Sequence, residues 1–93
     1  MATFVTLYRF NGPIKGGGQE RFKKFNGIVE EQGGKILLFH GLMGPYDVIT
    51  VCDYPGTRAA MKAGARIGNL INAQTLTMAA LEKDDFLQFL TEV

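Results

Sequence analysis

The chain has 93 residues, the size of one domain, and ten Lys plus Arg against nine Asp plus Glu leave a formal net charge of +1. Hydrophobic residues make up 46% and charged residues 20%, a balance that favours a packed core over disorder. The near-neutral charge gives no field for nucleic acid or an anionic membrane, the lone Cys52 excludes an intrachain disulfide framework and a zinc set, and no apolar run reaches the length of a membrane span.

The first ten residues, MATFVTLYRF, lack the basic region, apolar core and cleavage site of a signal peptide, which with the single cysteine favours a cytoplasmic protein. No linker, low-complexity segment or internal repeat divides the sequence, so residues 1–93 read as a single domain.

Residues 3–10, rich in β-branched and aromatic types, predict a strand. The segment NGPIKGGG that follows carries enough Gly and Pro for a loop. From Gln19 to Gln32, Phe22, Phe25 and Val29 recur at helical spacing, and Gly33-Gly34 ends the helix. Residues 35–43 predict a second strand, broken by Gly44-Pro45, and residues 46–54 a third, ended by Pro55-Gly56. Residues 57–68 predict a helix with Thr57 as its N-cap, whose small residues Ala60, Gly64, Ala65 and Gly68 would let it lie close to a sheet. Residues 73–80 predict a fourth strand, and a short helix begins near Asp84 and carries Phe86, Leu87, Phe89 and Leu90. The order β-α-β-β-α-β plus a C-terminal helix is the ferredoxin-like, α+β arrangement, with a four-stranded antiparallel sheet and both crossover helices on one face.

Strand alternation sorts the side chains into two sets. Val5, Leu7, Leu37, Phe39, Ile49, Val51, Leu76 and Met78 are all strongly apolar and are the set expected beneath the helices. The other set is Phe4, Thr6, Tyr8, Ile36, Leu38, His40, Tyr46, Val48, Thr50, Cys52, Tyr54, Thr75 and Thr77. It is mixed, but too apolar to meet water bare, so a second copy of the chain is expected against it, giving at least a homodimer.

The sequence Gly44-Pro45-Tyr46-Asp47 before the apolar strand Val48–Val51, the Ala-rich helix Ala59–Gly68, the Thr75-Leu76 step and Asp85-Phe86 together resemble the GYD domain family, small proteins of the dimeric α/β-barrel superfamily. The resemblance covers nearly the whole chain. It implies the dimeric barrel, with Gly44, Tyr46 and Asp47 as the structural motif, and it implies no reaction. The wider superfamily includes cofactor-independent monooxygenases, small isomerases, haem-binding enzymes and ligand-sensing modules, among which fold analogy does not choose.

The topology gathers Tyr8, the loop 11–18, His40, Tyr46, Asp47 and the segment 69–75 at one end of the domain. Asp47 is expected to accept hydrogen bonds from free amides at the start of the first helix or to pair with Arg21, in preference to acting as a general base. Tyr46 is expected to wall a dimer interface or a pocket rather than to donate a proton. His40, the only histidine, is the best candidate for acid–base work near neutral pH, set against the alternative of a satisfied buried histidine. Cys52 reads as a small core residue. Gly16-Gly17-Gly18 matches neither a P-loop nor a dinucleotide pattern and reads as a flexible loop that could cover a pocket mouth.

These residues point to a small ligand held near Tyr8, His40, Tyr46 and Thr75, with no metal and no cofactor. Whether the chain is a cofactor-independent enzyme acting on a small apolar or aromatic compound, or a non-catalytic ligand-sensing or oligomerisation module, stays open. RNA recognition shares the element order but ranks below both, because the middle of the third strand carries Val48, Thr50 and Cys52 rather than stacking aromatics.

Overall fold

A computed structural model describes residues 1–93. The elements are β1 (Ala2–Phe10), α1 (Gly18–Glu31), β2 (Lys35–Gly41), β3 (Val48–Tyr54), α2 (Thr57–Ile71), β4 (Ala73–Ala80) and α3 (Lys83–Leu90). The strands form one antiparallel sheet in the order β2-β3-β1-β4. It is the expected split β-α-β-β-α-β topology, and in the single chain the sheet is open rather than closed into a barrel.

Turn chemistry sets the helix ends. At the C-terminus of α1 the Gly34 N–H donates to Val29 O (2.9 Å) and the Gly33 N–H to Glu30 O (2.9 Å), which is the Schellman pattern. A side chain at position 34 has no room, since an added Cβ would lie 2.6 Å from the Tyr54 ring and 2.9 Å from Asp53 O. Helix α2 begins at Thr57 with Gly56, not Thr57, as the N-cap, and it runs on to Ile71 rather than stopping near Gly68. Leu70 and Ile71 extend its packed face, and Asn72 (φ 52°) ends it in the left-handed conformation that asparagine tolerates.

On β1, β3 and β4 the two faces of the sheet are used opposite to expectation, whereas Phe39 of β2 lies beneath the helices and Leu38 and His40 on the open face, as expected. Beneath the helices lie three rungs of paired residues: Ile36–Cys52–Phe4–Ala79, Phe39–Thr50–Thr6–Thr77, and Gly41–Val48–Tyr8–Thr75. Phe4, Thr6, Tyr8, Val48, Thr50, Cys52 and Tyr54 are buried there against Phe25 and Val29 of α1 and Ala60, Ala63 and Ile67 of α2. Volume explains the choice. Helix α2 presents Ala60, Ala63, Gly64 and Gly68, so its backbone comes close to the sheet, where an added Cβ at Gly64 would lie 3.3 Å from Thr77 Oγ1. The bulky rings of Phe4, Tyr8 and Tyr54 fill the space the small helix residues leave, and burying such rings contributes more than burying aliphatic side chains of the other set. The polar atoms on this face find partners: Thr6 and Thr77 hydroxyls lie 3.0 Å apart, and no buried side-chain polar atom is unsatisfied.

The opposite face carries the aliphatic set. Its two central rungs are Leu38–Val51–Val5–Met78 and His40–Ile49–Leu7–Leu76. Nothing in the chain covers them: the central-strand residues are half-exposed, and Leu76 and Met78 are 45% and 42% exposed. Polar residues bound this band, with the Thr3 hydroxyl donating to Asp53 Oδ1 (2.6 Å) in the rung at one end and Arg9 beside Gln74 at the other. A bulge at Leu37 shifts the register of β2 between Ile36 and Leu38. It sends Phe39 under the helices, where its ring meets Phe22 and Phe25 (both 5.3 Å between centroids), and leaves Leu38 and His40 on the bare face. Helix α3 follows β4 after two residues and packs against no other element.

Candidate functional site

The residues expected to share a ligand site are divided by the sheet. Tyr8 and Thr75 are rung partners on the helix side, and Tyr8 is 2% exposed with its ring against Phe25 (5.6 Å between centroids). His40 is exposed on the other face, paired with Ile49. It does lie on the uncovered face, as expected. Tyr8 and Thr75 lie on the helix side because the helices cover the mixed face, and the Leu37 bulge is what separates His40 from Tyr8. Tyr46 is half-buried in the connection between β2 and β3, outside any strand.

Asp47 has hydrogen-bond partners other than those expected. Its Oδ2 accepts the Phe10 N–H (2.8 Å), its own N–H donates to Tyr8 O (2.8 Å), and its carbonyl accepts the Leu42 N–H (2.8 Å). It therefore ties the β2–β3 connection to the end of β1, and neither the α1 amides nor Arg21 are its partners. Gly44, the first residue of the motif, has φ 143°, a conformation L side chains rarely adopt, so the chain there needs glycine.

The residues under the helices are poor proton carriers at neutral pH. Burial pushes the Tyr8 phenol up to about 12, with the Thr50 and Thr6 hydroxyls pulling part of the way back. Burial also raises the Cys52 thiol and the Tyr54 phenol above their ordinary values. All three are neutral donors near pH 7. Cys52 is a buried core thiol, and no group of His, Cys, Asp and Glu has the arrangement to hold a metal ion.

Three clefts fall in two regions of the surface. A groove of about 440 Å³ runs between α2 and β4, lined by Phe4, Ala60, Met61, Gly64, Thr75 and Thr77 among others. No charged residue lines it, and the Thr77 hydroxyl is already engaged by Thr6. The second region lies where β1 ends, under the loop 11–18. It consists of two adjoining clefts, of about 330 Å³ and 220 Å³, that share Phe10, Lys15, Arg21 and Ile71. The smaller one is walled by Phe22, Phe25, Phe39 and Val48. The larger is walled by Pro13 and Ile14 of the loop and by Leu70 and Asn72. The loop and the end of α2 do meet here, as expected: the Asn11 N–H donates to Asn72 O (3.0 Å) and Asn11 Nδ2 to Asn72 Oδ1 (3.2 Å).

This second region was not legible as a site. Phe22 and Phe25 read as core positions at helical spacing, yet Phe22 is 43% and Phe39 39% exposed at the cleft. The usable signal was a pair of cations, Lys15 and Arg21, on either side of a Gly-rich loop and next to an aromatic stripe. Phe39 belongs to the set expected beneath the helices and does lie there, but the sequence does not say that its ring meets Phe22 and Phe25, and the bulge at Leu37 leaves no Gly or Pro mark.

Comparison with known proteins fits this description. No curated protein matches the chain. Among solved structures, the leucine response regulatory protein LrpA of Mycobacterium tuberculosis is similar, with a TM-score of 0.67 at 14% identity over 88% of this chain. The chain spans about half (51%) of that protein, and at such identity the likeness is one of fold. The GYD domain model matches residues 12–90, a span that includes the Gly44–Asp47 motif, both crossover helices and α3. The chain belongs to the GYD domain family.

Proposed function

We propose that this chain is a small-molecule-binding module that works as a homodimer, two copies setting their bare sheet faces against one another. The observation that carries the dimer is the band Leu38, Val51, Val5, Met78, Ile49, Leu7 and Leu76, a continuous aliphatic surface across all four strands that the chain itself leaves uncovered. Contiguous apolar surface of this kind on a folded chain marks an interaction site, and a self-complementary sheet face suits two-fold pairing. Helix α3 supports the same reading. An eight-residue helix is too short to hold its shape in water alone, and its Phe86, Phe89 and Leu90, at i, i+3 and i+4, form an apolar stripe with no partner in its own chain. In the dimer this stripe packs on the second copy.

Binding is favoured over catalysis for the cleft at the end of β1. Its titratable lining groups are two cations, the buried phenols and thiol nearby are held neutral, and His40 lies across the sheet. His40, at the edge of the aliphatic band, then belongs to the sheet–sheet interface, where an acid–base role requires a group from the second copy. The bare face does not suit RNA, since its central strands offer aliphatic side chains where base stacking needs aromatics. No helix is long and apolar enough to cross a membrane. The buried, unpaired Cys52 accords with a reducing, cytoplasmic setting.

Methyl NMR on a mixture of labelled and unlabelled chains tests the pairing. Intermolecular contacts among Val5, Leu7, Ile49 and Val51 are expected. Methyls that contact only water and their own chain would overturn the proposal.

A further inference from the structure

The charge placement in the cleft under the loop 11–18 goes beyond a general binding role. Arg21 is half-buried at the start of α1, and its Nη2 donates to Lys15 O (2.7 Å), which fixes the guanidinium at the seam between the two adjoining clefts. No carboxylate neutralises it. The one ion pair in the chain is Arg66–Glu31 (2.7 Å), on the exposed surface between the helices. Asp47 Oδ2 accepts the Phe10 N–H, and neither Asp47 nor Glu20, the acid next to Arg21 in the chain, forms an ion pair with Arg21 or Lys15. A half-buried guanidinium beside aromatic walls, with a second cation next to it and no counter-charge, is electrostatically incomplete, because its remaining donors favour an anionic acceptor. The excess is local, for the whole chain carries only +1.

The walls set the rest of the ligand. Phe22, Phe25 and Phe39 form a mutually edge-on and stacked cluster, with centroids 5.3–6.3 Å apart, that offers faces and edges to one more ring. The aromatic cleft holds about 220 Å³. That is more than the roughly 150 Å³ that takes one benzene ring and less than the roughly 300 Å³ at which drug-sized sites begin. We infer that this cleft binds a small carboxylate with a ring-sized apolar body, the body against Phe22, Phe25 and Phe39 and the carboxylate on Arg21 and Lys15. The loop carrying Lys15 then acts as the cover of the site. The inference rests on the ligand-binding half of the proposed function and is independent of the dimer.

The test is a titration of the full chain with phenylacetate, followed by backbone and aromatic NMR, with phenylacetamide as the neutral analogue. Saturable shifts are expected at Lys15, Arg21, Phe22, Phe39 and Ile71. The amide should bind about tenfold or more weakly, and added salt should weaken the carboxylate but not the amide. Arg21→Gln is expected to remove the preference for the carboxylate, and Lys15→Gln, on an exposed loop residue that the fold does not need, to reduce it. The absence of saturable shifts at millimolar phenylacetate, equal binding of the two analogues, or a preference that survives both variants would overturn the inference. Sedimentation of the same samples separates the two proposals, since a dimer that ignores phenylacetate refutes only the ligand class, and a monomer that binds it refutes only the pairing.

Discussion

Replacing Asp47 by alanine and by asparagine separates a structural carboxylate from a catalytic one. The side chain makes one hydrogen bond, from the Phe10 N–H at 2.8 Å, while the other two bonds at this residue are backbone bonds and survive substitution. A hydrogen bond to a charged acceptor contributes about 1.5–3 kcal/mol, and the half-exposed setting puts Asp47 near the lower end. Asp47→Ala should therefore cost about 1.5 kcal/mol. For a domain of this size, with about 4–8 °C of Tm per kcal/mol, that is a fall of about 6–12 °C. Asparagine keeps a carbonyl oxygen for the Phe10 N–H and loses only the charge, so its cost should be about 0.5 kcal/mol and about 2–4 °C. Thermal unfolding followed by circular dichroism, at fixed protomer concentration because dimerisation also raises Tm, gives both values. An alanine variant as stable as the native chain would refute the reasoning. Equal losses for the two variants would show that charge, not the hydrogen bond to β1, is what matters.

Gly34→Ala should cost roughly 3 kcal/mol in urea unfolding, the upper end for overpacking, because the new methyl meets the Tyr54 ring at 2.6 Å and that ring, 4% exposed, has nowhere to move. A neutral effect would show that the contact between the α1 end and β3 is looser than described. Alkali should destabilise the fold through the buried phenols. Tyr8 rises from 10.0 to about 12 on folding, so its contribution is complete below pH 10 and is lost as pH climbs through about 12, a swing of roughly 3 kcal/mol to which Cys52 and Tyr54 add in the same direction. Urea midpoints measured against pH, beside tyrosinate absorbance, check this. A Tyr8 phenol that ionises near 10 in the folded chain would contradict it.

The element order was legible because turn residues sit between elements: Gly33-Gly34 closes α1, Gly44-Pro45 lies in the middle of the β2–β3 connection, and Pro55-Gly56 separates β3 from α2. The choice of face was not legible. Hydrophobicity alone favours Val5, Leu7, Ile49 and Val51 as the core, but hydrophobicity does not say whether the covering layer is a helix or another copy of the chain. What decides it is shape. The narrow α2 surface of Ala60, Gly64 and Gly68 matches tyrosine, phenylalanine and threonine, and that leaves the uniform aliphatic set for a flat partner. The residues named for the candidate site fall on opposite faces for a related reason. Grouping Tyr8 with His40 assumed unbroken alternation along β2, and one extra residue at Leu37 reversed the strand beyond it. Asp47 accepts its hydrogen bond from Phe10 at the end of β1, and not from the start of α1 as expected.

The account stands on the bare aliphatic face being a dimer interface, and sedimentation equilibrium of the native chain beside Leu7→Arg tests that directly. Leu7 lies on a central strand, between Ile49 and Leu76 on the uncovered side, so a charge there spares the helix-side core. The native chain should sediment at twice the chain mass, and Leu7→Arg should sediment at one chain mass with its fold intact by circular dichroism. A native chain that stays at one chain mass at every concentration, or a Leu7→Arg variant that remains a dimer, would contradict the account.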